Sequence, residues 1–211
     1  MKKLWLILFG FTFLTLFSFT SANAMYIDFT SSPFTSAANG ATSYSQLGIT
    51  FTASGAAGTS PLLYWDSTDG FGVMEGGGYE VDEIEGVEML IVDFSANTYV
   101  NDFYLTDLFW EHGYQEQGFW SLDNSNWNSF QQAADSLVAL GNSNGEYILA
   151  INSYVDSIYF SAPGYVNGQD HEYSVAGVDV NAAPVPEPAT MLLLGTGLIG
   201  IAGFGRNKFK K

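Results

Sequence analysis

The sequence has no cysteine, which excludes disulfides, thiolate zinc sites and thiol nucleophiles. It is also short of charge of one sign. Lys and Arg number six against 22 Asp and Glu, and all six stand at positions 2, 3, 206, 208, 210 and 211. Residues 25–183 therefore contain no basic side chain. They hold every acidic residue except Glu187, which leaves 21 acids and no internal counter-charge. Such a surface repels phosphate, which disfavours nucleic acid and anionic lipid as partners. It attracts divalent cations, or it serves only to keep an exported protein soluble. Charged residues are sparse at 13%, whereas aromatics reach 16%. That balance suits a β-rich folded domain rather than a disordered one. Long apolar runs are missing from the middle and stand only at the two ends.

At the N-terminus, Lys2 and Lys3 precede an apolar run over residues 4–19 and then Thr20-Ser-Ala-Asn-Ala24. Ala22 and Ala24 make the small-x-small pattern that signal peptidase needs, so residues 1–24 read as a signal peptide cut after Ala24. Residues 25–183 are punctuated often, at Ser31-Ser-Pro33, Ala38-Asn-Gly40, residues 55–58, residues 66–70 and Gly76-Gly-Gly78. Short alternating runs lie between these marks. Ile49 and Phe51 share one face, and so do Leu90, Val92 and Phe94. Residues 102–108, 117–122, 146–151, 155–161 and 172–180 read as further strands, and 131–140 is the one short helical candidate. Strands of this length and spacing predict an all-β fold, an antiparallel β-sandwich of eight to ten strands.

The last 28 residues, 184–211, have three parts. Val185-Pro-Glu-Pro-Ala-Thr190 opens them, an uncharged apolar run follows over about 189–205, and Arg206-Asn-Lys-Phe-Lys-Lys211 closes them. The run is long enough for a transmembrane helix, at the short end of the range. Its basic tip belongs in the cytoplasm, which puts residue 25 onward outside. Motif, span and tip together resemble a PEP-CTERM sorting domain. The resemblance implies export across the inner membrane of a Gram-negative bacterium, membrane anchoring by the helix, and processing by an exosortase. Pro186, Glu187 and Pro188 would carry the recognition. It also implies a host system that makes exopolysaccharide and forms biofilm. Asp69-Gly-Phe-Gly-Val73, residues 81–90 and residues 173–179 resemble blocks found in sandwich proteins with this tail, which implies a jelly-roll-like fold.

Candidate chemistry inside the domain is thin. Glu80, Asp82, Glu83, Glu85 and Glu88 follow three glycines, and Asp82, Glu85 and Glu88 could supply hard oxygens to Ca2+. The same cluster reads equally as an acidic strand edge that discourages aggregation. No cofactor is otherwise required. Glu111 and Glu116 sit among Trp110, Tyr114, Phe119 and Trp120. Trp110 and Trp120 could stack on sugar rings, or fill the core. His112 and His171 are the only histidines. No nucleophile elbow or phosphate-binding loop is present.

The expectation is an exported surface or extracellular-matrix protein, structural or adhesive within an extracellular polysaccharide and without catalysis. The alternative is a carbohydrate-binding protein or polysaccharide-acting enzyme on the cell surface.

Overall fold

A computed structural model describes residues 24–56, 59–75, 83–86, 88–111, 114–132, 145–166 and 171–181. Of these, Ala24–Asn181 form one compact unit. The signal-peptide stretch before Ala24, Asp82, His112, the helical candidate beyond Gln132 and the tail from residue 182 lie outside the described residues. No described helix is long and apolar enough to cross a membrane, and the expected span at 189–205 lies outside that set.

The unit is an all-β, antiparallel, curled sheet. Its twelve strands among the described residues are β1 (Ala24–Asp28), β2 (Ser43–Gln46), β3 (Ile49–Ser54), β4 (Pro61–Asp66), β5 (Gly70–Glu75), β6 (Met89–Leu108), β7 (Trp110–Glu111), β8 (Tyr114–Gln115), β9 (Gln117–Ser121), β10 (Asn128–Gln131), β11 (Gly145–Ser161) and β12 (Ser174–Asn181). The small β7–β8 pair stands apart from the other ten.

Two long strands set the shape. Residues 88–94 and 102–108, expected as two strands, are parts of the single 20-residue β6, and 146–151 and 155–161 are parts of β11. No Gly or Pro interrupts either strand between those parts, and each keeps the other as partner from end to end. Register shifts at Ala150/Ser153 and Val155/Ser157 bend the pair without breaking it, as bulges do. Asn152, with φ 48, sits at the first shift.

The bend sends the two halves of β6 to different neighbours. Its first half pairs with β3, Ile49 opposite Phe94 through Ser54 opposite Met89. Its second half pairs with β12, Ser174 opposite Thr106 through Val180 opposite Val100. β2 extends the first layer and β9–β10 join it through β11. β1 and the β5–β4 hairpin join the second layer through β12. Phe51 of β3 and Phe71 of β5 never share a ladder, yet their rings stack at 3.8 Å between centroids. The two layers therefore face one another. Phe29, Phe34, Leu90, Val92, Phe103, Phe160 and Tyr173 fill the space between, all buried.

The alternation read from sequence accounts for this core. Ile49, Phe51 and Ala53 point inward from β3 while Thr50, Thr52 and Ser54 point outward, as the two-residue strand period requires. Leu90 and Val92 are fully buried and Phe94 packs partly against the same cluster.

Candidate functional site

The residues singled out from sequence disperse. Trp120 lies on β9 and packs half-buried against the core. The side chain of Trp110 is outside the described set, as is that of Glu111. Trp127 is 40% exposed in the loop before β10. Glu116 is buried and accepts the backbone N–H of Phe109, a structural use of its charge. His171 is buried, and its Nδ1 accepts the N–H of Gln117 at 3.1 Å.

Of the three expected calcium ligands, Glu88 is 3% exposed and accepts the N–H of Glu85 at 3.3 Å. The N–H of Glu88 donates in turn to the Glu85 carbonyl at 3.0 Å. This stretch closes a turn on itself. Among the described residues, no three His, Asp or Glu side chains gather as a metal centre would need.

A different group of residues shares one cleft. Tyr26 of β1, Tyr104 and Thr106 of β6, and Glu146 and Tyr147 of β11 line a hollow of about 320 Å³. Strand register builds its surroundings. Tyr26 stands opposite Asp179, and Asp179 stands opposite Asp102. One step along, Gly177 lies between Asp28 and Tyr104. Gly177 is needed there because a Cβ would come within 2.6 Å of the Tyr26 hydroxyl. Without one, the Tyr26 ring meets Tyr104 edge-on, with centroids 4.8 Å apart and planes at 75°. Tyr26 remains 50% exposed. Tyr147 stacks on Phe130 at 5.4 Å, which anchors it to the core.

The electrostatics of this face are one-sided. Like charges placed directly opposite on adjacent strands are destabilising, and Asp102 and Asp179 are so placed. Burial, with Asp179 beside it, raises the Asp102 carboxyl above the usual carboxylate range. Burial, Asp28 and Tyr104 push the Tyr26 hydroxyl up to about 12. Burial together with Asp179 and Asp102 raises Tyr104 as well. Burial also pushes Asp28 upward, but hydrogen bonds from Thr30 and Ser31 outweigh it and hold that carboxyl low. Oδ1 of Asp179 is buried without a hydrogen-bond partner.

Sequence reading missed this group. The alternation of Asp102, Tyr104 and Thr106 was visible within a recognised strand, but the partners that Tyr26, Gly177 and Asp179 bring come from the two ends of the domain.

Beyond the sheet, residues 184–207 match the PEP-CTERM protein-sorting motif family. The chain carries a PEP-CTERM sorting tail. PEP-CTERM proteins are exported and sorted to the cell surface, and the motif implies processing by exosortase. No curated protein matches the chain. Among solved structures it is similar to CBM32-3 from a family 31 glycoside hydrolase of Clostridium perfringens. The identity is 15% and the TM-score 0.30, over 64% of this chain and 75% of that one. It is also similar to a rhamnosidase from Klebsiella oxytoca with rhamnose bound, at 10% identity and TM-score 0.33, over 64% of this chain and 29% of that one. Both are likenesses of fold and carry no residue across.

Proposed function

We propose that this protein is a structural or adhesive component of an extracellular polysaccharide matrix or biofilm, delivered by its two ends. Signal peptidase removes residues 1–24 after Ala24. A helix over about 189–205 holds the chain in the inner membrane of a Gram-negative cell, and exosortase recognises Pro186, Glu187 and Pro188. The mature product is the curled, jelly-roll-like β domain at the surface.

The PEP-CTERM tail is the observation that supports this reading. Its motif begins only a few residues after β12. Two prolines in three residues favour an extended stretch with few backbone donors, suited to an enzyme groove.

Intact-mass analysis of protein recovered from its host tests the delivery. A product beginning at Met25 and ending near Pro186 is expected, and one still ending at Lys211 would refute processing. Co-sedimentation of the mature protein with the host's extracellular polymer tests the destination. No cofactor is needed on this reading, so millimolar calcium added at a fixed ionic strength of about 0.1 M leaves the melting temperature unchanged. A rise would move attention to Asp82, Glu85 and Glu88.

The rival reading, a polysaccharide-acting enzyme, draws on Asp102, whose raised carboxyl beside Asp179 is the kind of pair that shares acid and base roles. Release of reducing ends from the host polymer, abolished by Asp102→Asn, is the result that would favour it.

A further inference from the structure

We infer that the cleft between β1, β6 and β11 binds the ammonium group of a non-acetylated hexosamine unit within a polysaccharide. This rests on the matrix reading above and names the chemistry that the matrix would present.

The first support is the pair of rings. Tyr26 and Tyr104 meet at 75°, so they form a corner with aromatic surface open to the cleft. A cation held within about 6 Å of a ring face gains roughly 0.5–2 kcal/mol, more as it is desolvated.

The second is uncompensated negative charge. Glu146 lines the cleft; the Asp102–Asp179 pair does not line it and lies further along β6 and β12, adding to the negative field around Tyr104. No described residue donates a hydrogen bond to the carboxylate of Asp102, Asp179 or Glu146. The domain has no Lys or Arg that could supply the missing charge. A partner that brings positive charge and N–H donors must come from outside the chain.

The third is what the cleft rejects. A bare metal ion wants several oxygens converging on one point, and the described acidic side chains do not converge so. An ammonium needs one or two acceptors and a ring face. An anionic uronate is repelled, and a neutral sugar leaves the carboxylates uncompensated. The volume, about 320 Å³, is at the small end for ligand sites, which suits a sugar ring rather than a large molecule. The tyrosine hydroxyls can then serve the ring's own hydroxyls.

Calorimetric titration of the full chain in mild detergent tests the inference with four probes: a glucosamine tetramer, its N-acetylated counterpart, a glucose tetramer and spermidine. The glucosamine tetramer is expected to bind at least about tenfold more tightly than the other three, and to weaken as salt rises. Glu146→Gln is expected to lose about tenfold in that affinity while still melting cooperatively, and Asp179→Asn, which lies outside the cleft lining, is expected to lose less. Equal binding of the acetylated or glucose tetramer overturns the ammonium assignment, and spermidine binding as tightly as the glucosamine tetramer overturns the sugar. Silence with all four overturns the inference whole. Co-sedimentation with the host polymer reports separately on the matrix reading, so the two failures are distinguishable.

Discussion

At the scale of single residues, the domain is shaped by acids in a stretch that holds no Lys or Arg. Some of these acids find a local answer and others do not. Asp123 takes N–H donors from Ser125 and Asn126, the Asn126 side chain and the Ser121 hydroxyl, which hold its carboxyl far below the usual range. Asp102 has no such donors, and burial beside Asp179 leaves it raised. The two cases pull in opposite directions with pH. A carboxyl raised in the fold adds stability below its unfolded pKa, near 4, and loses it as pH climbs through the higher folded value. A lowered carboxyl such as Asp123 or Asp28 adds stability above pH 4 and loses it in acid. Asp102→Asn is therefore expected to melt higher than the parent at pH 7, with the gap closing below about pH 4. Melting curves across that range check it. A variant that melts lower at pH 7 would mean that Asp102 has a favourable partner.

At the scale of elements, close approaches decide which strands can lie together. Gly118 of β9 faces Phe130 across the β9–β10 pair, and a Cβ there would come within 2.1 Å of the ring. Gly70 opens β5 with φ 92, and a Cβ would come within 2.4 Å of the Val175 carbonyl on β12. The two sites differ in what can yield. The Phe130 ring, although buried, is a side chain that can shift about its own bonds, whereas a backbone carbonyl in a central ladder cannot. Gly70→Ala is expected to destabilise the domain by about 2 kcal/mol or more, from the positive φ and the backbone clash together. Gly118→Ala is expected to cost less. Urea unfolding of both variants tests the order. Strand recognition fared well wherever alternation was clean, as in β3 and the first half of β6. It failed at the bends of β6 and β11, because a bulge carries the chain through without the Gly or Pro that marks a turn. Tyr26 and Asp28 drew no notice in sequence because β1 is short and its meaning depends on β12, some 150 residues later.

At the scale of the whole molecule, charge and connectivity matter most. A domain near −21 repels itself, and salt relieves that repulsion by shortening the Debye length from about 30 Å at 0.01 M to about 10 Å at 0.1 M. Its melting temperature is expected to rise by roughly 3–6 °C over that interval, about 1–2 kcal/mol. A flat response would mean that the acids are already spaced beyond each other's reach. The first strand, β1, pairs with the last, β12, so Ala24 stands opposite Asn181.

Sequence alone determined the PEP-CTERM sorting tail, because such a motif is a local segment that is recognised without the fold around it. It also determined the fold class, because the two-residue period of a strand is a local property. Tertiary structure decided the site. Tyr26, Tyr104, Asp102, Glu146 and Asp179 lie on four strands that meet only when β12 pairs with both β1 and β6, and no local pattern encodes which strands become neighbours. The absence of any basic residue was legible from the start. Where that absence leaves carboxylates facing one another, as at Asp102 and Asp179, depended on the register of the sheet.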